Sequence, residues 1–160
     1  MEINMKTCIV PGSFDPFTLG HLDVVKRPAG LFDKVYVAIM INSQKTGKFD
    51  FAQRKRIAEL SCAGLENVEV ITADGLLVDL CRALGASAVV KGVRDAQDCT
   101  YEINMARMNG FIDHSFETVL LPAKPELSFL SSTFVRELMK YEKPLDGALH
   151  PDAVAYISVI

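Results

Sequence analysis

The stretch TCIVPGSFDPFTLGHLDVV, residues 7–25, decides the fold. It begins with a short apolar run at residues 7–10, which predicts a strand covered on both faces. A turn rich in glycine and proline follows, and His21 then opens an apolar-periodic segment that predicts a helix beginning near Gly20. A buried strand that leads through such a turn into a helix indicates the first half of a βαβ unit.

The turn itself is a candidate anion site. Gly12 and Gly20 allow the backbone to approach a ligand closely, and the free N–H groups of the helix start favour a negative charge. His21, in the first turn of this helix, is placed to donate to a phosphate oxygen. The alternative is a plain turn followed by a histidine that caps the helix.

Strands and helices alternate along the rest of the chain. Strands are predicted at residues 7–10, 34–41, 68–71, 88–90 and 118–121. Helices are predicted to begin near Gly20, near Ser132 and after Pro151, and to cover about 51–63, 76–84 and 98–110. An Asp50–Gln53 capping box begins the helix at 51–63, and Gly85 ends the helix at 76–84. Pro28 should kink the first helix or end it early. The pattern predicts one α/β domain over residues 1–160, a Rossmann-like doubly wound sheet of about five parallel strands with flanking helices. Ligands of such sheets bind at the carboxyl ends of the strands.

Composition excludes several other classes of protein. The net charge of -3 argues against nucleic-acid binding, and the longest apolar run, residues 35–41, is too short to span a membrane. The four cysteines form no C-x-x-C pair and are expected to be buried thiols in a reducing cytoplasm. His114 and His150 lack ligand-like spacing with His21, so no protein-held metal is expected. The amino-terminal residues lack signal-peptide features, which also favours a cytoplasmic location.

Two further motifs follow predicted strands. Lys91 and Arg94 flank a glycine after the run 88–90, which suits phosphate or carboxylate binding, although a solvated loop is the alternative. Glu102 falls on the next predicted helix, where a solvated side chain is the usual outcome. Farther on, residues 131–133 carry three hydroxyls at the predicted start of a helix. These hydroxyls could cap the helix, or they could hold a triphosphate there.

Four segments together resemble a known family. They are PGSFDPFTLGH (11–21), the region of Lys45, KGVRDAQDCTYE (91–102) and SFLSSTFVRE (128–137). Their order and spacing are similar to the nucleotidyltransferase superfamily with the T/H-x-G-H signature, and more closely to the bacterial phosphopantetheine adenylyltransferases, from Thr7 to about Tyr156.

The resemblance implies reversible transfer of AMP from ATP to 4'-phosphopantetheine. The products would be dephospho-CoA and pyrophosphate, in the penultimate step of coenzyme A biosynthesis. It also implies Mg²⁺ held mainly by ATP phosphates and water, a homohexamer, and coenzyme A as a candidate feedback inhibitor.

The resemblance also assigns roles to positions in this chain. Catalytic roles fall on His21, Lys45 and Arg94. Positions matching the pantetheine substrate site are Ser13, Lys45, Leu77 and Lys91. Positions matching the ATP site are Ser13, Phe14, His21, Gly92, Val93, Arg94, Glu102, Leu127, Ser128, Phe129, Leu130, Ser131, Ser132 and Thr133. Lys91 stands where many relatives carry Arg, so it keeps the charge but loses the bidentate fork.

Two alternatives remain open at this point. A sister transferase, such as a cytidylyltransferase or a nicotinamide mononucleotide adenylyltransferase, would share the Gly-His loop and the serine-rich helix start. The Lys91–Glu102 block and the short chain favour the pantetheine enzyme. A catalytically silent nucleotide-binding module is the other alternative, and the presence of both His21 and Lys45 argues against it.

Overall fold

Five parallel strands form one sheet in the computed structural model, which describes residues 5–41 and 46–160. The strands are β1 (Thr7–Gly12), β2 (Lys34–Met40), β3 (Val68–Ala73), β4 (Ala88–Val93) and β5 (Glu117–Pro122). Their order is β3-β2-β1-β4-β5, and every neighbouring pair is parallel. The predicted α/β fold is therefore confirmed.

Helices connect the strands and follow the last one. They are α1 (Leu19–Ala29), α2 (Phe51–Cys62), α3 (Leu77–Leu84), α4 (Ala96–Ile112), α5 (Ser132–Lys140) and α6 (Pro151–Ile157), with a 3₁₀ turn at Pro125–Leu127 before α5. The predicted Asp50–Gln53 capping box begins α2, and Gly85 is the C-cap of α3. No helix in the described part of the chain is both long enough and apolar enough to cross a membrane.

The core lies on both faces of the sheet, because successive strand residues point to opposite sides. On β1, Val10 packs with α1 and α2 residues on one face, whereas Ile9 packs with Val78 and Cys81 of α3 on the other. The strand order reverses between β1 and β4, so the carboxyl ends of these two strands border a crevice suited to a ligand.

The ends of the elements differ from prediction in several places. Strand β4 continues through Lys91 to Val93, since β5 offers backbone partners there, with Lys91 opposite Leu120. The Lys91–Gly92–Val93 segment is therefore the end of a strand, not the loop that follows it. Helix α4 begins at Ala96, two residues early, because Asp95 caps it.

Pro28 lies in the last turn of α1, which ends one residue later. This agrees with the expectation that the proline would end the helix early.

Three of the four cysteines are buried as predicted. Burial raises the pKa of the Cys8 and Cys62 thiols to about 12 and that of Cys81 to about 11. Cys99 differs and is half-exposed, because α4 buries none of its residues within this chain.

Candidate active site

A cleft of about 430 Å³ opens at the carboxyl ends of β1 and β4. Residues from all three sequence motifs line it, which brings together segments separated by more than a hundred positions. From the predicted site it includes Ser13, Phe14, His21, Lys91, Gly92, Arg94, Glu102, Leu127, Leu130, Ser131, Ser132 and Thr133.

The loop between β1 and α1 is held in an unusual conformation. Phe14 has a φ of 46°, in the left-handed region that non-glycine residues rarely adopt. Its ring lies over Gly12, where an added Cβ would come within 2.9 Å of the ring. The same ring meets His21 edge to face, with centroids 5.1 Å apart. A side chain at position 12 would therefore displace an aromatic wall of His21.

His21 both caps α1 and faces the cleft. Its backbone N–H donates to Thr18 Oγ1 (3.3 Å), and its ring Nδ1 accepts from the Thr18 backbone N–H (2.9 Å). Since Nδ1 is the acceptor, the proton of the neutral ring lies on Nε2, which is left available as a donor. The capping and ligand-binding interpretations of this histidine are therefore compatible.

The ring of His21 is neutral at physiological pH. Burial lowers its pKa to about 4, and the nearby positive charges of Arg94 and Lys91 act in the same direction. A neutral imidazole can still donate from Nε2 to an anion. It does so without the cost of burying a further positive charge beside Arg94 and Lys91.

A buried carboxylate anchors the same loop to its surroundings. The Asp15 carboxylate accepts hydrogen bonds from the backbone N–H groups of Lys48 and Phe49, both at 2.9 Å. It also forms an ion pair with Arg54 at 3.4 Å. Arg54 is itself buried and donates to the carbonyls of Phe49 (2.8 Å) and Ser13 (3.3 Å). The pair thus joins the β1–α1 loop to the start of α2 and supports the backbone of Ser13.

The wall from β4 and α4 carries two ion pairs. Arg94 Nε lies 2.9 Å from Asp98 Oδ2, and this contact raises the pKa of Arg94 and lowers that of Asp98. Lys91 Nζ lies 3.2 Å from Glu102 Oε1. Both cations are therefore held at the cleft by carboxylates of the following helix.

Gly92 allows β4 and α1 to pack closely behind this wall. An added Cβ would lie 2.7 Å from Cγ2 of Val24, a residue that also lines the cleft. Gly20 is different, since an added Cβ there would meet protein atoms only at 3.4 Å or beyond. At Gly20 the contacts of the added Cβ, with Thr18 Oγ1 and with Leu130, would lie in the ordinary van der Waals range.

The opposite wall is the start of α5. The Ser131 side chain caps it by accepting from the Phe134 N–H (3.0 Å), and Ser132 Oγ donates to the carbonyl of Pro16 (2.8 Å). Arg136 donates to the Asp15 carbonyl (2.7 Å) and to Thr133 Oγ1 (3.0 Å). The hydroxyls therefore serve as caps and tethers, while the remaining free N–H groups of the helix start favour a negative charge nearby.

A smaller cavity of about 80 Å³ adjoins the main cleft behind Lys91 and Glu102. Leu77, predicted at the acceptor site, lines this cavity and not the main cleft. Its other lining residues are Val89, Tyr101, Met105, Ala106, Asn109 and Thr118. The Lys91–Glu102 pair thus lies between two spaces.

Besides Leu77, three predicted site residues of the described part of the chain do not line the main cleft. Val93, Ser128 and Phe129 do not line it, and the Phe129 side chain is 60% exposed. Lys45 lies outside the described residues. The ligand-binding roles assigned to these residues stay predictions.

Sequence reasoning missed Asp15, Arg54, Asp98 and Arg136 as parts of the site's framework. Three of the four lie within the quoted motifs, which was the available signal: Asp98 in 91–102, Arg136 in 128–137, and Asp15 between Phe14 and Pro16. The main partner of Asp15, Arg54, lies on α2. Nothing in the local pattern of either residue indicates the pairing.

The acidic side chains of the cleft do not form a metal-binding cluster. Asp98 and Glu102 are each paired with a cation, and no group of three or more His, Cys, Asp or Glu among the described residues could hold a metal ion. A divalent cation that enters as a complex with a polyphosphate fits this arrangement, because Mg²⁺ usually keeps phosphate and water ligands.

Comparison with known families agrees with this geometry. The cytidylyltransferase-like family model matches residues 9–138. A crystal structure described as that of a nicotinate-nucleotide adenylyltransferase from Vibrio parahaemolyticus superposes with a TM-score of 0.71, covering 97% of this chain and 93% of that one at 20% identity. The chain belongs to the cytidylyltransferase-like family of nucleotidyltransferases.

Sequence relatives narrow the family further. Phosphopantetheine adenylyltransferase of Limosilactobacillus reuteri is 46% identical over 84% of this chain and 78% of its own length. The enzymes of the same name from Staphylococcus haemolyticus and Clostridium botulinum are 38% and 36% identical, over 90% and 94% of this chain and 89% and 95% of their own lengths. Within the cytidylyltransferase-like family, this chain is a member of the phosphopantetheine adenylyltransferases.

Proposed function

We propose that this protein transfers the adenylyl group of ATP to 4'-phosphopantetheine, releasing pyrophosphate and forming dephospho-CoA. The observation that carries this proposal is the meeting of His21, Arg94 and the start of α5 around one cleft, beside the Lys91–Glu102 pair. The named relatives support the choice of substrates.

The chemistry needs positioning more than proton transfer. The acceptor is a phosphate monoester whose oxygen attacks the α-phosphorus of ATP, while the bond from that phosphorus to the β-phosphate oxygen breaks. The acceptor is already ionised, so no base must remove a proton. This suits a cleft in which the carboxylates of Asp98 and Glu102 are both paired with cations.

His21 is the residue that responds to the developing charge. Negative charge builds on the non-bridging oxygens around the α-phosphorus as the acceptor attacks. A fixed Nε2–H donor at this point stabilises the transition state more than the ground state, and that difference speeds the reaction. The Thr18 contact to Nδ1 and the ring of Phe14 hold the imidazole in place.

The triphosphate belongs between Arg94 and the start of α5. The guanidinium and the helix amides supply positive potential, which opposes the repulsion between the two anionic substrates. Mg²⁺ would enter with ATP and be coordinated mainly by phosphate oxygens and water.

The acceptor belongs on the side of Ser13 and Lys91, with its pantetheine arm toward the small cavity that Leu77 lines. Lys45 is the further cation proposed for its phosphate. Replacing Lys45 with alanine should raise KM for 4'-phosphopantetheine and slow turnover, with ATP affinity nearly unchanged. Selective loss of ATP affinity would assign Lys45 to the other substrate.

The proposal also includes assembly as a homohexamer in the cytoplasm. Coenzyme A is proposed as a feedback inhibitor, because the coenzyme A molecule contains the whole of the dephospho-CoA product. Assembly is supported by two exposed surfaces. Helix α4 buries none of its residues and exposes Met108, Phe111 and Ile112, and the edge strand β5 has no buried residue. Sedimentation should give a particle of six 17.6 kDa chains.

Pyrophosphate release tests the proposed reaction directly. The protein is incubated with ATP or CTP and with 4'-phosphopantetheine, nicotinamide mononucleotide or glycerol 3-phosphate as acceptor. Turnover is expected only with ATP and 4'-phosphopantetheine, and excess chelator should abolish it. Turnover with another pair would indicate a sister transferase, and ATP binding without any turnover would indicate a silent nucleotide-binding module.

A further inference from the structure

A second buried carboxylate, Asp23 on α1, lies behind the cleft. The residue is 8% exposed, and its two oxygens contact different cations. Oδ1 is 3.0 Å from Lys124 Nζ, and Oδ2 is 3.3 Å from Arg27 NH1. Arg27 NH1 also donates to the carbonyl of Pro122 at 2.9 Å. Asp23 therefore ties α1 to the segment that leaves β5.

That segment forms part of the cleft wall. Ala123 and Leu127 line the cleft on either side of Lys124, and the chain then continues into the start of α5. Helix α1 presents His21 to the same cleft from the other side. The side chains of Asp23, Arg27 and Lys124 do not line the cleft themselves. The contacts of Asp23 thus connect two parts of the site from outside it.

The energetics favour a positioning role over a contribution to fold stability. The Lys124 side chain is 50% exposed, and ion pairs with an exposed partner add little to the free energy of unfolding. Without Lys124, Arg27 still accompanies the Asp23 carboxylate, so the loss does not leave a buried charge alone. What changes is the attachment of residues 122–127 to the helix that carries His21.

We propose that Asp23 is a positioning residue. Through Lys124 and Arg27 it sets the nucleotide-binding wall, residues 123–133, at the distance from His21 that ATP requires. This inference rests on the proposed function insofar as it assigns that wall to ATP. It predicts a selective effect on the nucleotide, because Leu77 and the small acceptor cavity are not attached to this cluster.

The test is a set of lysine variants measured with both substrates. Lys124→Met should raise KM for ATP on the order of 3- to 5-fold, the upper end of the effect of losing a partly exposed ion pair. KM for 4'-phosphopantetheine should stay within about twofold. Lys124→Arg, which keeps the charge, should restore most of the ATP affinity.

The matched control is Lys34→Met, which removes the surface pair between Lys34 and Glu69 (2.7 Å) far from the cleft and should change neither KM. Asp23→Asn should reproduce the selective effect, and if it fails to fold, the lysine variants decide.

Unchanged KM for ATP in Lys124→Met, equal shifts in both KM values, or no rescue by arginine would overturn the proposal. If the wild type shows no turnover, the proposed function fails. The positioning role is then tested by calorimetric Kd values for ATP of the wild type and of Lys124→Met, and equal Kd values would overturn it.

Discussion

The backbone nitrogen of Thr18 donates to Nδ1 of His21 over 2.9 Å, which assigns the proton of this cleft-lining ring to Nε2. The histidine closes its own capping box and presents a donor to the cleft with one orientation of its ring. The local turn thereby orients the group that we propose acts on the reacting phosphate.

The protonation state of His21 should follow from this environment. Burial and the neighbouring cations Arg94 and Lys91 lower its pKa to about 4, whereas the unfolded chain has an ordinary value near 6.5. The ring of the free enzyme should therefore stay neutral as pH falls through 6.5 and should take up a proton only near pH 4. Stability contributed by this residue is present above pH 6.5 and is lost as pH falls toward 4, since the unfolded chain protonates first.

Nitrogen-15 NMR of the histidine rings checks this prediction. The His21 signals should show the Nε2–H tautomer from pH 8 to about pH 5. His150, which also caps a helix through Nδ1 but lies outside the cleft, serves as the reference ring. Titration of His21 near its ordinary value, or an Nδ1–H tautomer, would contradict the geometry.

Gly92→Ala should destabilise the protein by packing alone. The new methyl group would lie 2.7 Å from Val24, and overpacking of this kind typically costs about 1–3 kcal/mol in free energy of unfolding. Adding Val24→Ala should relieve part of the loss. Denaturant unfolding measures both variants.

Gly110→Ala is the matched control for that substitution. It lies within α4 with nothing inside 4 Å of an added Cβ, so alanine should increase stability by up to about 1 kcal/mol through helix propensity. Equal effects at the two positions would show that the Val24 contact does not govern the substitution at Gly92.

Arg54→Met should be strongly destabilising. It leaves the buried Asp15 carboxylate without its nearest cation, and breaking a buried pair costs about 3–5 kcal/mol. Lys55→Met, on the same helix but in an exposed pair with Glu59, should change the unfolding midpoint little. A folded Arg54→Met protein of normal stability would mean that Arg136, whose NH1 lies 3.9 Å from Asp15 Oδ2, suffices to neutralise the carboxylate.

Much of the fold could be predicted from local pattern. The five strands, the capping box at Asp50 and the stop at Gly85 all follow from short-range chemistry within a few residues. The ends of β1 and β4 could not, because Gly12 and Gly92 are weak strand formers. They remain in strands because neighbouring strands satisfy their backbone groups.

The framework of the site depends on partners distant in sequence. Asp15 meets Arg54, and Asp23 meets Lys124 across about a hundred residues. Neither pairing leaves a periodic signal, since each requires the fold to bring a helix against a loop from another part of the chain. The cleft residues could be proposed from motifs, whereas the ion pairs behind them became visible only in three dimensions.

The central claim is that His21 acts on the reacting phosphate and not merely as a helix cap. Steady-state kinetics of His21→Ala, beside the other capping variant His150→Ala, test it most directly, with circular dichroism to show that both are folded. Loss of a fixed transition-state donor should lower kcat roughly 100- to 1,000-fold, with a modest change in KM for ATP, while His150→Ala keeps near-normal kcat. A well-folded His21→Ala protein whose kcat matches that of His150→Ala would contradict the account.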